Sequence, residues 1–130
     1  MSQALLDAVC TLDRVDNVDA AGLEAYLASA RDRLTVLFFT GDPEKKLETA
    51  DVAVVLRELL QAYDPVLRAG MIDRADETVL KQRAKVTLLP SLSFFHGPDH
   101  LETLSKIQDW SVYAERLPRL LERAGLAATV

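Results

Sequence analysis

The sequence predicts an α/β protein, a three-layer sandwich with a mixed central sheet of about four strands and helices on both faces. Three stretches carry that prediction. Leu34-Thr35-Val36-Leu37-Phe38-Phe39 is almost continuously apolar and rich in β-branched and aromatic residues, as in a strand buried on both faces. Val52, Val55, Leu56, Leu59, Leu60 and Tyr63 then recur at three- and four-residue intervals, the period of an amphipathic helix. A strand, a helix and a further strand make a parallel pair with a right-handed crossover. The third stretch, Ala84 to Gly97, enters apolar, breaks at Pro90 and then alternates, with Leu92 and Phe94 on one side and Ser91, Ser93 and Phe95 on the other. That is the period of a strand, and Gly97-Pro98-Asp99 turns it into an antiparallel hairpin.

Taken in order, Leu5, Leu6, Val9 and Leu12 lie at near-helical spacing and predict a short leading helix within a leading segment, residues 1–18. Asp19 is placed to cap a helix carrying Leu23, Tyr26 and Leu27 and running to about Arg31. After the Leu34–Phe39 strand, Thr40-Gly41-Asp42-Pro43 has the composition of a turn, and residues 44–50 read as polar surface loop. Asp51 is placed to cap the next helix, which Asp64-Pro65 closes. Val66 to Asp73 reads as a second internal strand, and Asp76 as the cap of a short helix holding Val79 and Leu80. Proline cannot donate to a sheet ladder, so Pro90 fits the entrance of its strand; an X-Pro bond in so tight an approach is the usual place for a cis peptide, and a trans loop proline opening an ordinary strand is the alternative. The expectation is a fixed bend at Leu89-Pro90 that presents backbone to the surface. Leu101 to Ile107 alternates as the last strand. Asp109 or Ser111 caps a final helix with Val112, Leu117, Leu120 and Leu121, in which Pro118 implies a kink or a late start. Gly125 ends it, leaving residues 124–130 as a frayed tail of one domain spanning 1–130.

Composition narrows the function. With 49% hydrophobic and 27% charged residues the chain has the balance of an ordinary globular protein. It has no bilayer-length apolar run and no basic, cleavable start, so the expected compartment is the cytoplasm. A net charge of −5 argues against a nucleic-acid surface. The single cysteine, Cys10, excludes an internal disulfide, a CxxC pair and a multi-cysteine metal site. His96 and His100 flank the Gly97-Pro98-Asp99 turn and could approach each other, but two ligands without a third make a poor metal site.

A proline-led third strand, its hairpin and a terminal helix resemble the thioredoxin fold over roughly Leu34 to Arg123. Val86 to Gly97 is similar to that fold's cis-proline strand. Where thioredoxins carry two cysteines this chain has Thr40-Gly41-Asp42-Pro43-Glu44-Lys45-Lys46-Leu47-Glu48-Thr49, which offers no thiolate for disulfide exchange. One subfamily is closer. Phe38-Phe39-Thr40-Gly41-Asp42-Pro43, with Glu48 and Asp51-Val52-Ala53-Val54-Val55-Leu56-Arg57-Glu58-Leu59, resembles the HupG/HyaE family of hydrogenase-assembly proteins. Trp110 and Leu117 to Leu121 fit that family's terminal part. The resemblance implies a cytoplasmic chaperone for nickel–iron hydrogenase maturation, with no catalytic role and no cofactor. Its implied partner is the iron–sulfur small-subunit precursor, engaged at its twin-arginine signal before export.

Under that implication the acidic residues near the strand tip acquire a use. Guanidinium forks pair with carboxylates, often bidentately, which makes Asp42, Glu44, Glu48 and Asp51 candidate contacts for paired arginines. Surface pairs contribute at most about 1 kcal/mol each, so an apolar anchor is needed as well. Leu89 and Pro90 would add strand-like backbone bonds to an extended peptide. Against this, Lys45 and Lys46 offset the local charge, and an acidic loop is most often merely solvated. Two other classes remain. A glutathione-dependent transferase or peroxidase would need a nucleophile near Pro90, where only Thr40, Thr87 and Ser91 stand, without a base. A redox-inactive thioredoxin-like interaction module, dimeric or not, would act on another partner through an exposed apolar patch.

Overall fold

In a computed structural model, residues 15–42 and 44–126 are described. They form a five-stranded sheet in which β1 (Val15–Val18), β3 (Leu67–Ile72) and β2 (Leu34–Phe39) run parallel. The antiparallel hairpin β4 (Ser91–His96) and β5 (Asp99–Ser105) completes the order β1-β3-β2-β4-β5. The mixed sheet and three layers are those of the thioredoxin-like fold that the sequence implies. β1 is the addition: a four-residue edge strand, Val-Asp-Asn-Val, whose register Val15–Ala69 to Val18–Ile72 sets it against β3. Asn17, whose type also suits a capping residue, lies with Asp16 in the exposed middle of this edge strand, while Val15 and Val18 at its ends pack against the two core clusters. The expected leading helix falls on residues 5–15; of these only Val15 is described, and it is strand.

Helices cover both faces. On one side lie α2 (Thr49–Ala62) and α4 (Trp110–Arg123), which bury Val52, Leu56 and Leu59, and Tyr113, Leu117 and Leu120, against Val36, Phe38, Leu92 and Phe94. Each such side chain contributes roughly 2 kcal/mol as it leaves water. On the other side α1 (Leu23–Ala28) and the one-turn α3 (Glu77–Leu80) cover Leu37, Phe39, Ile72 and Phe95 with Leu23, Leu27 and Leu80. β2 is buried at all six positions and β4 at five of six, because each meets helices above and below. Gly70 of β3 is a close approach: a methyl group there would lie 2.8 Å from Val18 and 2.9 Å from Tyr26.

The helix boundaries depart from the sequence reading in instructive ways. Asp19 closes a turn by accepting the Gly22 N–H at 2.8 Å, and α1 stops at Ala28, where the Ser29 hydroxyl donates to the Tyr26 carbonyl. Asp51 is not the cap of α2. The helix begins at Thr49, and Asp51 sits in its first turn, where a negative charge still suits the helix dipole. Asp76 precedes α3 without a side-chain cap bond; its carboxylate accepts the Ala20 N–H instead, and Val79 is exposed. Asp109 does cap α4, accepting from the Ser111 N–H. Pro118 lies inside a continuous helix. Ala114 and Pro118 share its exposed face, so the carbonyl that proline leaves without a donor opens to water. Gly125, at φ +73°, ends the helix. Among the described residues no helix is long and apolar enough to cross a membrane.

Candidate functional site

The tip of β2 and the entrance of β4 meet at one end of the sheet, and the segment from Gly41 to Glu48 is built between them. Gly41 takes φ +68°, a left-handed turn that glycine adopts without strain. Its N–H donates at 3.0 Å to the buried carboxylate of Glu77, which also accepts the Thr40 hydroxyl at 3.4 Å. The Asp42 carbonyl accepts the Lys45 and Lys46 N–H groups at 3.0 and 2.7 Å, and the Thr49 hydroxyl donates to the Thr40 carbonyl at 2.6 Å. These bonds hold the segment as a compact turn tied to both β2 and α2.

Beside it lies a groove of about 280 Å³, lined by Lys45, Lys46, Leu47, Glu48, Leu89, Pro90 and Lys106. The Leu89–Pro90 peptide is cis. Pro90 itself is buried, and its carbonyl accepts the Lys106 N–H at 2.7 Å. Leu89 is half-buried, and among the described residues neither its N–H nor its carbonyl has a hydrogen-bond partner. Exposed apolar side chains stand in or next to this lining: Leu47 at 76% exposure, Leu88 at 52% beside Leu89, and Ile107 beside Lys106. The Glu48 carboxylate bridges the two walls by accepting the Ile107 N–H at 3.0 Å and pairing with Lys106 at 3.5 Å. The Ile107 N–H, helped by the Lys106 charge, holds the Glu48 carboxyl below its ordinary range.

With this geometry in view, comparison with known proteins is decisive. The model of the family described as hydrogenase-1 expression protein HyaE matches residues 5–113. The chain belongs to the HyaE family. The hydrogenase expression/formation protein HupG of Bradyrhizobium diazoefficiens is 40% identical over 123 residues, which cover 89% of this chain and 83% of that protein. HoxO of Azotobacter vinelandii is 41% identical over 104 residues, covering 80% of this chain and 68% of HoxO. A crystal structure from Rhodopseudomonas palustris, named for the hydrogenase expression/formation protein hupG, superposes with a TM-score of 0.59 at 34% identity, covering 86% of this chain and 99% of that one.

In this HyaE-family chain the six candidate contacts do not form one surface. Glu48, Leu89 and Pro90 line the groove together; Asp42, Glu44 and Asp51 do not. Asp42 accepts the Glu44 N–H at 3.0 Å and lies 3.8 Å from Arg74, on the β3 side of the segment. Glu44 and Asp51 are exposed, and among the described residues their carboxylates have no partner. The expectation that Pro90 would offer backbone to a peptide is corrected: its one hydrogen-bonding group is engaged, and only Leu89 remains open. Residues 44–50 are also not wholly surface, since Thr49 is fully buried in the first turn of α2. The two histidines take different partners, the Arg31 carbonyl for His96 and the Thr103 hydroxyl for His100. Cys10 lies outside the described residues.

The sequence reading missed Glu77 and Lys106. Glu77 sits in a stretch of ordinary surface composition, and nothing local marks it as the buried acceptor for the tip segment. Lys106 adopts φ +58°, which lets its N–H reach the Pro90 carbonyl. The adjacent charged pair Lys45-Lys46 was the available signal that the segment is of mixed sign.

Proposed function

We propose that this chain is a chaperone in the maturation of a nickel–iron hydrogenase, holding the iron–sulfur small-subunit precursor at its twin-arginine signal region in the cytoplasm before export. The partner segment lies extended across the groove, exchanging strand-type hydrogen bonds with the Leu89 N–H and carbonyl. Leu47, Leu88 and Ile107 supply the apolar contact that surface charge cannot. The arginines pair with Glu44 and Asp51, which stand outside the groove with their carboxylates open to solvent. No redox step is involved, because the segment 40–49 supplies no thiol for disulfide exchange.

The observation that carries this reading is the open Leu89 backbone at an apolar-rimmed groove, in a chain whose relatives are named for hydrogenase expression and formation. The test is precursor affinity in a Glu44→Lys, Asp51→Lys double variant. Asp42 and Glu48 are poor choices for it, since each also holds a backbone N–H of the fold. A several-fold loss of affinity with unchanged thermal stability is expected; unchanged affinity removes the carboxylates from the contact.

A further inference from the structure

We infer that the groove beside Leu89 is selective for an extended segment that alternates apolar with acidic side chains, and that basic residues of a partner lie outside it. The inference deepens the reading above and rests on its premise that the groove holds a polypeptide. Three lysines and one glutamate line the groove, and the glutamate is already committed to the Ile107 N–H and Lys106. Lys45 and Lys46 are exposed, and among the described residues neither ammonium is paired with a carboxylate. Lys46 is also held near the peptide track: a methyl group built on Gly41 would lie 3.0 Å from the Lys46 Cγ and 3.2 Å from the Leu89 Cβ. Its stem therefore packs over the tip turn toward Leu89, leaving the charged end for solvent or a partner.

The charges on this end of the sheet are unevenly distributed, with the unpaired positive ones at the groove. On the β4–β5 side stand Lys45, Lys46 and Lys106 around the open Leu89 backbone. On the β1–β3 side a second depression, of about 450 Å³, is lined by Asn17, Asp19, Asp73 and Arg74 among others, with Asp42 paired to Arg74 at its margin. An arginine laid in the groove would face unneutralised ammonium groups at close range, whereas a carboxylate there would gain one or two pairs. An alternating segment bound as an added strand sends every second side chain to one face, so one face can be apolar against Leu47 and Ile107 while the other carries the charge.

The experiment uses the full chain and two capped octapeptides that alternate valine with aspartate or valine with arginine. Binding is followed by titration calorimetry. The acidic peptide is expected to bind at least about five-fold more tightly than the basic one, as two rim charge pairs allow. The preference should shrink as salt is raised. Lys45→Glu with Lys46→Glu should reverse it, while a pair on the exposed face of α4, Arg119→Glu with Arg123→Glu, should leave it unchanged. Equal affinities, a preference of the unaltered chain for the basic peptide, or binding of neither peptide overturns the assignment. Capture of the hydrogenase precursor by the unaltered chain is scored separately, so that absence of the peptide preference with capture retained removes the groove's selectivity and spares the proposed function.

Discussion

Replacing Gly41 by alanine puts a methyl group where the tip turn has no room for one. At φ +68° an L side chain costs about 1 kcal/mol against glycine before any contact is counted. The added carbon would then sit 3.0 Å from the Lys46 Cγ and 3.2 Å from the Leu89 Cβ. The lysine stem can swing aside. The Leu89 Cβ cannot, because it is anchored to backbone next to buried Pro90, so the turn or Leu89 must move by a few tenths of an ångström. Overpacking of this kind costs typically about 1 kcal/mol or more, giving a total near 2 kcal/mol. Gly125 provides the control: it has φ +73° and, among the described residues, nothing within 4 Å, so Gly125→Ala carries the backbone strain alone. Urea unfolding followed by circular dichroism should therefore show a loss of about 1 kcal/mol for Gly125→Ala and about twice that for Gly41→Ala. Because Leu89 has to shift, Gly41→Ala should also weaken partner binding, which Gly125→Ala should not. A Gly41→Ala chain no less stable than Gly125→Ala would refute the close approach of the tip turn to Leu89.

Phe94→Ala, which empties a fully buried position between α2, α4 and the sheet, should cost about 3–5 kcal/mol by the same unfolding measurement. Glu48→Gln removes a carboxylate whose folded pKa is depressed; wild-type excess stability over this variant should be present above the ordinary value of 4.5 and fade as pH falls through the lower folded value. His100 is held below its ordinary 6.5 by burial first, then by Lys85, Arg83 and Arg123, with Glu102 opposing. The unfolded chain thus takes up the proton first, and stability should decline as pH drops through 6.5, a step that His100→Gln removes in urea midpoints measured at pH 7 and pH 5.

Much of the architecture was legible because burial on two faces leaves a strong mark. The apolar run Leu34–Phe39 and the alternation after Pro90 each admit one placement, and both strands sit as those patterns require. β1 was not legible: four residues with two polar ones give no periodicity, and the strand exists because β3 offers it an open edge. The site was legible in position but not in use. Leu89, Pro90 and Glu48 do converge, yet the sequence could not show that Pro90 spends its carbonyl on Lys106 or that Glu48 turns inward to Ile107. Both depend on Lys106 taking a left-handed conformation, which no local pattern announces. Glu77 was illegible for a related reason, since its partner, the Gly41 N–H, lies 36 residues away. Capping went wrong at Asp51 because Thr49, two residues earlier, finds the Thr40 carbonyl and starts the helix there.

The most direct measurement is recovery of the hydrogenase small-subunit precursor with this chain from its own cells, comparing the full precursor with one lacking the twin-arginine signal segment. The proposed function predicts that the full precursor is retained and that the shortened one is retained several-fold less. Failure to retain the full precursor, or equal retention of both, would contradict it.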